Sequence, residues 1–140
     1  MALEYPPVMN KKNTMARIVL IALGGLILIA CQGAPAGSAS QTVQSYLQAR
    51  VQSDVDKMIN LSCADWEAQA RIEAASFKSM KATLDGVTCK DAGSDSNASL
   101  VACTGKIVTS YNGESRDWSV ADKQFKVVQD RGEWRMCGYR

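Results

Sequence analysis

The apolar residues of this chain change period once, near its middle, and that change restricts the fold more than any single motif. From Val43 they fall at Val43, Leu47, Val51, Val55, Met58 and Ile59, the spacing of one helix face. Across residues 100–111 they alternate instead, with Val101, Cys103, Ile107 and Tyr111 in one phase, as on a half-buried strand. Asn112-Gly113 follows directly, the strongest short signal for a hairpin turn. Trp118 and Val120 continue the return strand, but Phe125 and Val127 lie in the opposite phase, which predicts a bulge within 121–124. Arg131-Gly132 turns the chain again, and residues 133–139 make a last strand.

The helical half reads in pieces. Ser53-Asp54 marks a break and restart, with Ser53 as the expected N-cap. Ser62 with Asp65 three residues on gives a second start in capping-box spacing, and helix is expected to continue in segments to about Met80. A short strand over 84–90 and a turn cluster over 91–97 precede the alternating run. Helices first and an antiparallel meander of four strands afterwards define an α+β layout.

The first thirty residues read as an address. Lys11, Lys12 and Arg17 form a basic region, and the apolar run 18–29 is short for a spanning helix, which needs about 20 residues. Leu28-Ile29-Ala30-Cys31 resembles the bacterial lipobox. That resemblance implies cleavage after Ala30 and a diacylglyceryl group on the Cys31 thiol, with fatty acyl chains such as palmitate holding the protein to the exported side of a cell-envelope membrane. Residues 31–40, rich in Gly, Ala and Ser, have the composition of a flexible tether. The expected organisation is a signal peptide over 1–30, a lipidated tether over 31–40 and one domain over 41–140.

Charge and composition narrow the chemistry. Of 16 basic residues 13 lie from Cys31 onward, as do 13 of 14 acidic ones, so the exported part is neutral and carries no basic excess for nucleic acid. The chain has no histidine, which removes the commonest general base and the usual imidazole metal ligand. No metal or other cofactor is expected. Asp54, Asp56, Asp65 and Glu67 cluster at helix starts, where acids satisfy the helix dipole. Asp130 and Glu133 flank a turn, and Asn97-Ala98-Ser99 is read as a turn rather than a glycosylation site.

With Cys31 lipidated, Cys63, Cys89, Cys103 and Cys137 remain, an even number in an oxidising compartment. Cys89 and Cys103 flank Ser96 symmetrically, so an antiparallel hairpin sets them opposite each other. The preferred pairing is therefore Cys89–Cys103 with Cys63–Cys137. The separations are too long for a short-spaced zinc site.

The order of elements, the helical stretch VQSYLQARVQSDVDKMINLSCADWEAQA and the terminal FKVVQDRGEWRMCGY resemble the nuclear transport factor two-like superfamily, in particular small bacterial lipoproteins of that type. The resemblance covers about residues 41–140. It implies a long helix lying across a strongly curved sheet to close a cone; a cystatin-like sheet wrapped on one helix shares most of this layout.

Within such a cone Trp66, Phe77, Met80, Tyr111, Trp118, Phe125 and Met136 are the candidate pocket residues, and for so small a domain they are expected to fill the space. Tyr46 and Tyr139 lie at ordinary packing phases. The inward phases of helix and strand offer one titratable group, Tyr111, so no catalytic residue is assigned. The expected function is a lipid-anchored, non-catalytic domain that binds an envelope protein or a small apolar ligand. The alternatives are an enzyme using carboxylate and tyrosine chemistry in the cone, and a structural accessory module.

Overall fold

The computed structural model describes residues 37–140. The expected export signal, Cys31 and the start of the expected tether lie outside the described residues. Helix α1 (Ala39–Val51) begins two residues before the expected domain start, because Ser38 and Gln41 form a capping box. Ser38 Oγ accepts from the Gln41 N–H at 3.2 Å, and Gln41 Oε1 accepts from the Ser38 N–H at 3.0 Å.

The break after α1 falls where expected, but the cap differs. Ser53 takes a left-handed conformation (φ 54°) and Asp54 caps α2 (Val55–Asn60), its Oδ1 accepting from the Lys57 N–H at 3.0 Å. Ser53 is occupied in reversing the chain, which leaves the next side chain free to cap. Ser62 does not cap either: its hydroxyl donates back to the Met58 carbonyl at 2.8 Å. A single 3₁₀ turn (Ala64–Trp66) leads instead into α3 (Glu67–Ala75), and turns rather than helix carry the chain on to Met80. Asp54, Asp56, Asp65 and Glu67 stand at the starts of these short elements, as expected.

The sheet is antiparallel and has five strands rather than four: β1 (Lys81–Asp95), β2 (Ala98–Tyr111), β3 (Glu114–Ser119), β4 (Gln124–Asp130) and β5 (Glu133–Tyr139). The expected turn cluster over 91–97 shrinks to Ser96-Asn97, and β1 runs through the rest of it. Two register shifts, one at Gly86 and one at Gly93, let this long strand bend. The first also re-phases it, so that Ala82 and Leu84 before it and Val87 and Cys89 after it all pack toward the core.

The phase change between Val120 and Phe125 is a crossing between strands, not a bulge within one. β3 pairs with residues 106–111 of β2 and β4 with residues 99–102, on the same side of the strand. Between the two pairings the Val120 N–H donates to the Gly105 carbonyl at 3.2 Å. Gly105 has φ 94°, and a Cβ there would lie 2.5 Å from the Gly86 carbonyl oxygen. Only glycine lets β1 and β2 cross this closely at the bend.

Helix α1 lies across β1, β2, β4 and β5, burying Val43, Tyr46, Leu47 and Ala49 against Val101, Ile107, Phe125, Val127 and Met136. The two expected disulfides are present, Cys63–Cys137 with Cα atoms 5.3 Å apart and Cys89–Cys103 with Cα atoms 4.1 Å apart. Cys89 and Cys103 are register partners across the β1–β2 hairpin. Cys63–Cys137 fastens the helical half to β5, where Met136 also exchanges backbone hydrogen bonds with Leu61 (2.7 Å) and Cys63 (2.9 Å).

Candidate functional site

A cavity of about 640 Å³ opens between α1, the turn after α3 and the sheet. Its apolar wall comes from Leu47 on α1, Phe77 and Met80 after α3, Ile107 on β2, Trp118 on β3 and Phe125 on β4. Arg50, Asp117, Asp122, Lys123 and Tyr139 supply the polar part. The volume is within the range of about 300–1,000 Å³ usual for small-molecule sites. The space is therefore open where filling was expected. β3 explains why: carried past the core by the long β2, it holds Trp118 at the cavity mouth with 53% of its surface exposed. The Trp118 indole N–H donates to Thr109 Oγ1 at 3.1 Å, which fixes the ring against the wall.

Four of the seven candidate pocket residues, Phe77, Met80, Trp118 and Phe125, line this cavity. The other three do not. Met136 is fully buried in the core. Trp66 packs edge-on against Tyr139, with ring centroids 5.3 Å apart. Tyr111, the titratable group expected to face inward, is 56% exposed, because the end of β2 runs beyond the helices. It borders a separate hollow of about 290 Å³ beside Met80 and Trp118.

The inward titratable groups are different ones, and they form a buried polar knot. Glu73 on α3 is 5% exposed. The Tyr139 hydroxyl donates to its carboxylate, lying 2.9 and 2.8 Å from the two oxygens, and the Tyr46 hydroxyl donates to Oε2 at 3.0 Å. The Trp66 indole N–H in turn donates to the Tyr46 hydroxyl oxygen at 3.1 Å. Arg50 Nη1 stands 3.7 Å from Oε2. Burial, and then the negative charge of Glu73, push both phenols well above the ordinary tyrosine range.

Signals for this knot exist in the sequence. Tyr46 and Arg50 sit three and seven residues after Val43, on the same helical stripe. Glu73 sits between Ala70, Ala74 and Phe77 at buried spacing, a lone acid on an apolar face. Tyr139, expected at an ordinary packing phase, does pack against the core, but not by simple alternation from Trp134 and Met136. A register shift in β5 between Met136 and Gly138 turns it onto the face that strict alternation denies it, where it packs on Phe125.

Among the described residues no group of three or more His, Cys, Asp or Glu side chains could hold a metal ion. Among them also, no helix is long and apolar enough to cross a membrane.

No family model and no curated protein matches the sequence. Solved structures do resemble it in shape. One is an NTF2-like protein with a cystatin-like fold from Novosphingobium aromaticivorans, at 10% identity and a TM-score of 0.48 over 93% of this chain and 87% of that one. Another is a SEC-C motif containing protein from Rhodopseudomonas palustris, at 12% identity and a TM-score of 0.48 over 74% of this chain and 80% of that one.

Proposed function

We propose that this protein is an exported, lipid-anchored envelope lipoprotein whose domain is a non-catalytic binding module for a small, mainly apolar ligand. The observation that carries the reading is the cavity itself: about 640 Å³, walled by aromatic and aliphatic side chains, with Trp118 held at its mouth. Such a space offers an apolar ligand burial worth about 25 cal/mol per Å² removed from water. A small ligand is favoured over a protein partner because the apolar surface is recessed rather than spread over an exposed face.

The carboxylate and tyrosines are spent on architecture. Both oxygens of Glu73 accept hydroxyl donors, and Glu73 is not part of the cavity wall. The phenols are shifted away from neutral pH, whereas a general acid or base works best with a pKa near the working pH. The knot therefore ties α1, α3 and β5 together, with Tyr139 and Arg50 reaching the cavity wall and Glu73 set behind it.

Titrating the full chain in lipid nanodiscs with the neutral fluorescent probe N-phenyl-1-naphthylamine, with empty nanodiscs as blank, tests the binding reading. Saturable uptake that Ile107→Trp abolishes by filling the cavity supports it; uptake no greater than the blank contradicts it. The anchor is tested separately. Cys31→Ser should abolish labelling by a fatty-acid analogue, and an unmodified Cys31 in protein extracted from its native membrane would refute it.

A further inference from the structure

Arg50 is the one cavity-wall group whose bonding is incomplete in a way that specifies a partner. Its side chain is 24% exposed, and its guanidinium stacks over Phe77 with 5.3 Å from Cζ to the ring centre. Among the described residues its five N–H groups make no hydrogen bond. Glu73, the nearest acid, is 3.7 Å from Nη1, beyond hydrogen-bonding distance, and Nε is buried with no acceptor at all. Glu73 cannot come closer without giving up the tyrosines, since Oε2 already accepts from both Tyr46 and Tyr139. A largely buried guanidinium in this state is costly; Nε is sealed from the cavity and stays unpaired, but a planar anion in the cavity would supply acceptors to the exposed N–H groups of the same guanidinium.

The rest of the wall sets the charge of that anion. Lys123 sits over the Tyr139 ring, its Nζ 4.6 Å from the centre, and is a second cation at the same wall. Against these stand Asp117 and Asp122. Asp117 is held by Lys106 at 2.7 Å, but Asp122 keeps its charge at the wall, so the cavity has no cationic surplus for a multiply charged ligand. The apolar wall of Leu47, Phe77, Met80, Ile107, Trp118 and Phe125 accounts for the rest of the occupant.

Building on the reading of the cavity as a ligand site, we infer that its occupant is a monocarboxylate with an aliphatic or aryl body, its carboxylate held by Arg50. Glu73, backed by its two tyrosines, then positions Arg50 from behind while the ligand takes the cavity-facing N–H groups.

The test compares two probes of one shape, 4-phenylbutyrate and 4-phenylbutyramide, by calorimetry on the full chain in nanodiscs, with empty nanodiscs subtracted. The carboxylate should bind at least about tenfold tighter than the amide, the increment expected of a charge-assisted pair. Arg50→Gln should bring that preference close to one, and Arg50→Lys should retain part of it. Equal affinities for the two probes on the unmodified protein would overturn the anionic-head assignment and leave the cavity reading intact. Binding of neither would overturn both.

Discussion

The Tyr139 hydroxyl lies 2.9 and 2.8 Å from the two carboxylate oxygens of Glu73, joining the last strand of the sheet to the last helix across 66 residues of sequence. Tyr46 completes the same carboxylate from α1. Replacing Glu73 with Ala leaves two buried hydroxyls without their acceptor and Arg50 without its counter-charge at 3.7 Å, which should cost about 3 kcal/mol or more. Glu73→Gln keeps one acceptor oxygen and should cost less. Urea unfolding measures both, and a loss under about 1 kcal/mol for the alanine variant would show that the knot does not hold the fold.

Alkaline titration reads the same knot. Tyr46 and Tyr139 are raised above their unfolded values by burial and by Glu73. Each therefore contributes stability that is complete below the unfolded tyrosine value of about 10 and declines as pH rises beyond it, because the unfolded chain releases the proton first. Absorbance at the phenolate band should show two of the three tyrosines beyond Cys31, Tyr46 and Tyr139, ionising only as the protein unfolds. Ionisation of all three in the folded protein would contradict the buried network.

The two disulfides should differ in worth. Cys63–Cys137 closes 74 residues and Cys89–Cys103 closes 14. Restriction of the unfolded chain gives about 4.4 kcal/mol for the longer loop and about 3 kcal/mol for the shorter. Paired Cys→Ser variants, compared by chemical denaturation, should rank in that order, with the Cys63/Cys137 pair the more damaging. The reverse order would mean that native-state packing, not loop closure, decides their contribution.

Gly105 tests the bend that lets β2 serve two partners. Gly105→Ala must hold a side chain at φ 94° with its Cβ 2.5 Å from the Gly86 carbonyl oxygen. A loss of more than about 2 kcal/mol is expected. Gly113→Ala is the comparison, since it also has positive φ but nothing within 4 Å of the added carbon, and it should cost less. Equal losses would remove steric crowding from the explanation.

Local chemistry made much of this fold legible. Asn112-Gly113 and Arg131-Gly132 occupy left-handed turn conformations where hairpins were expected, and the symmetry of Cys89 and Cys103 about Ser96 anticipates their register. What periodicity could not show is what bulges do to phase. The shift at Gly86 keeps Ala82 and Leu84 before it and Val87 and Cys89 after it on the core, and the one beside Cys137 brings Tyr139 inside. A strict alternation carried to Tyr111 pointed inward, but the helices end before that residue is covered. Glu73 lies on the buried stripe of α3 rather than at its start, so the capping that accounts for Asp54, Asp56, Asp65 and Glu67 does not account for it.

The central claim is that the space beside Trp118 is a ligand site. Chemical-shift mapping of the full chain in nanodiscs, on titration with N-phenyl-1-naphthylamine, tests it most directly. The account predicts saturable one-to-one shifts centred on Phe77, Met80, Ile107, Trp118 and Phe125, with the distant β4–β5 turn at Arg131-Gly132 unmoved. Shifts confined to the exposed strand faces, or none that saturate, would contradict it.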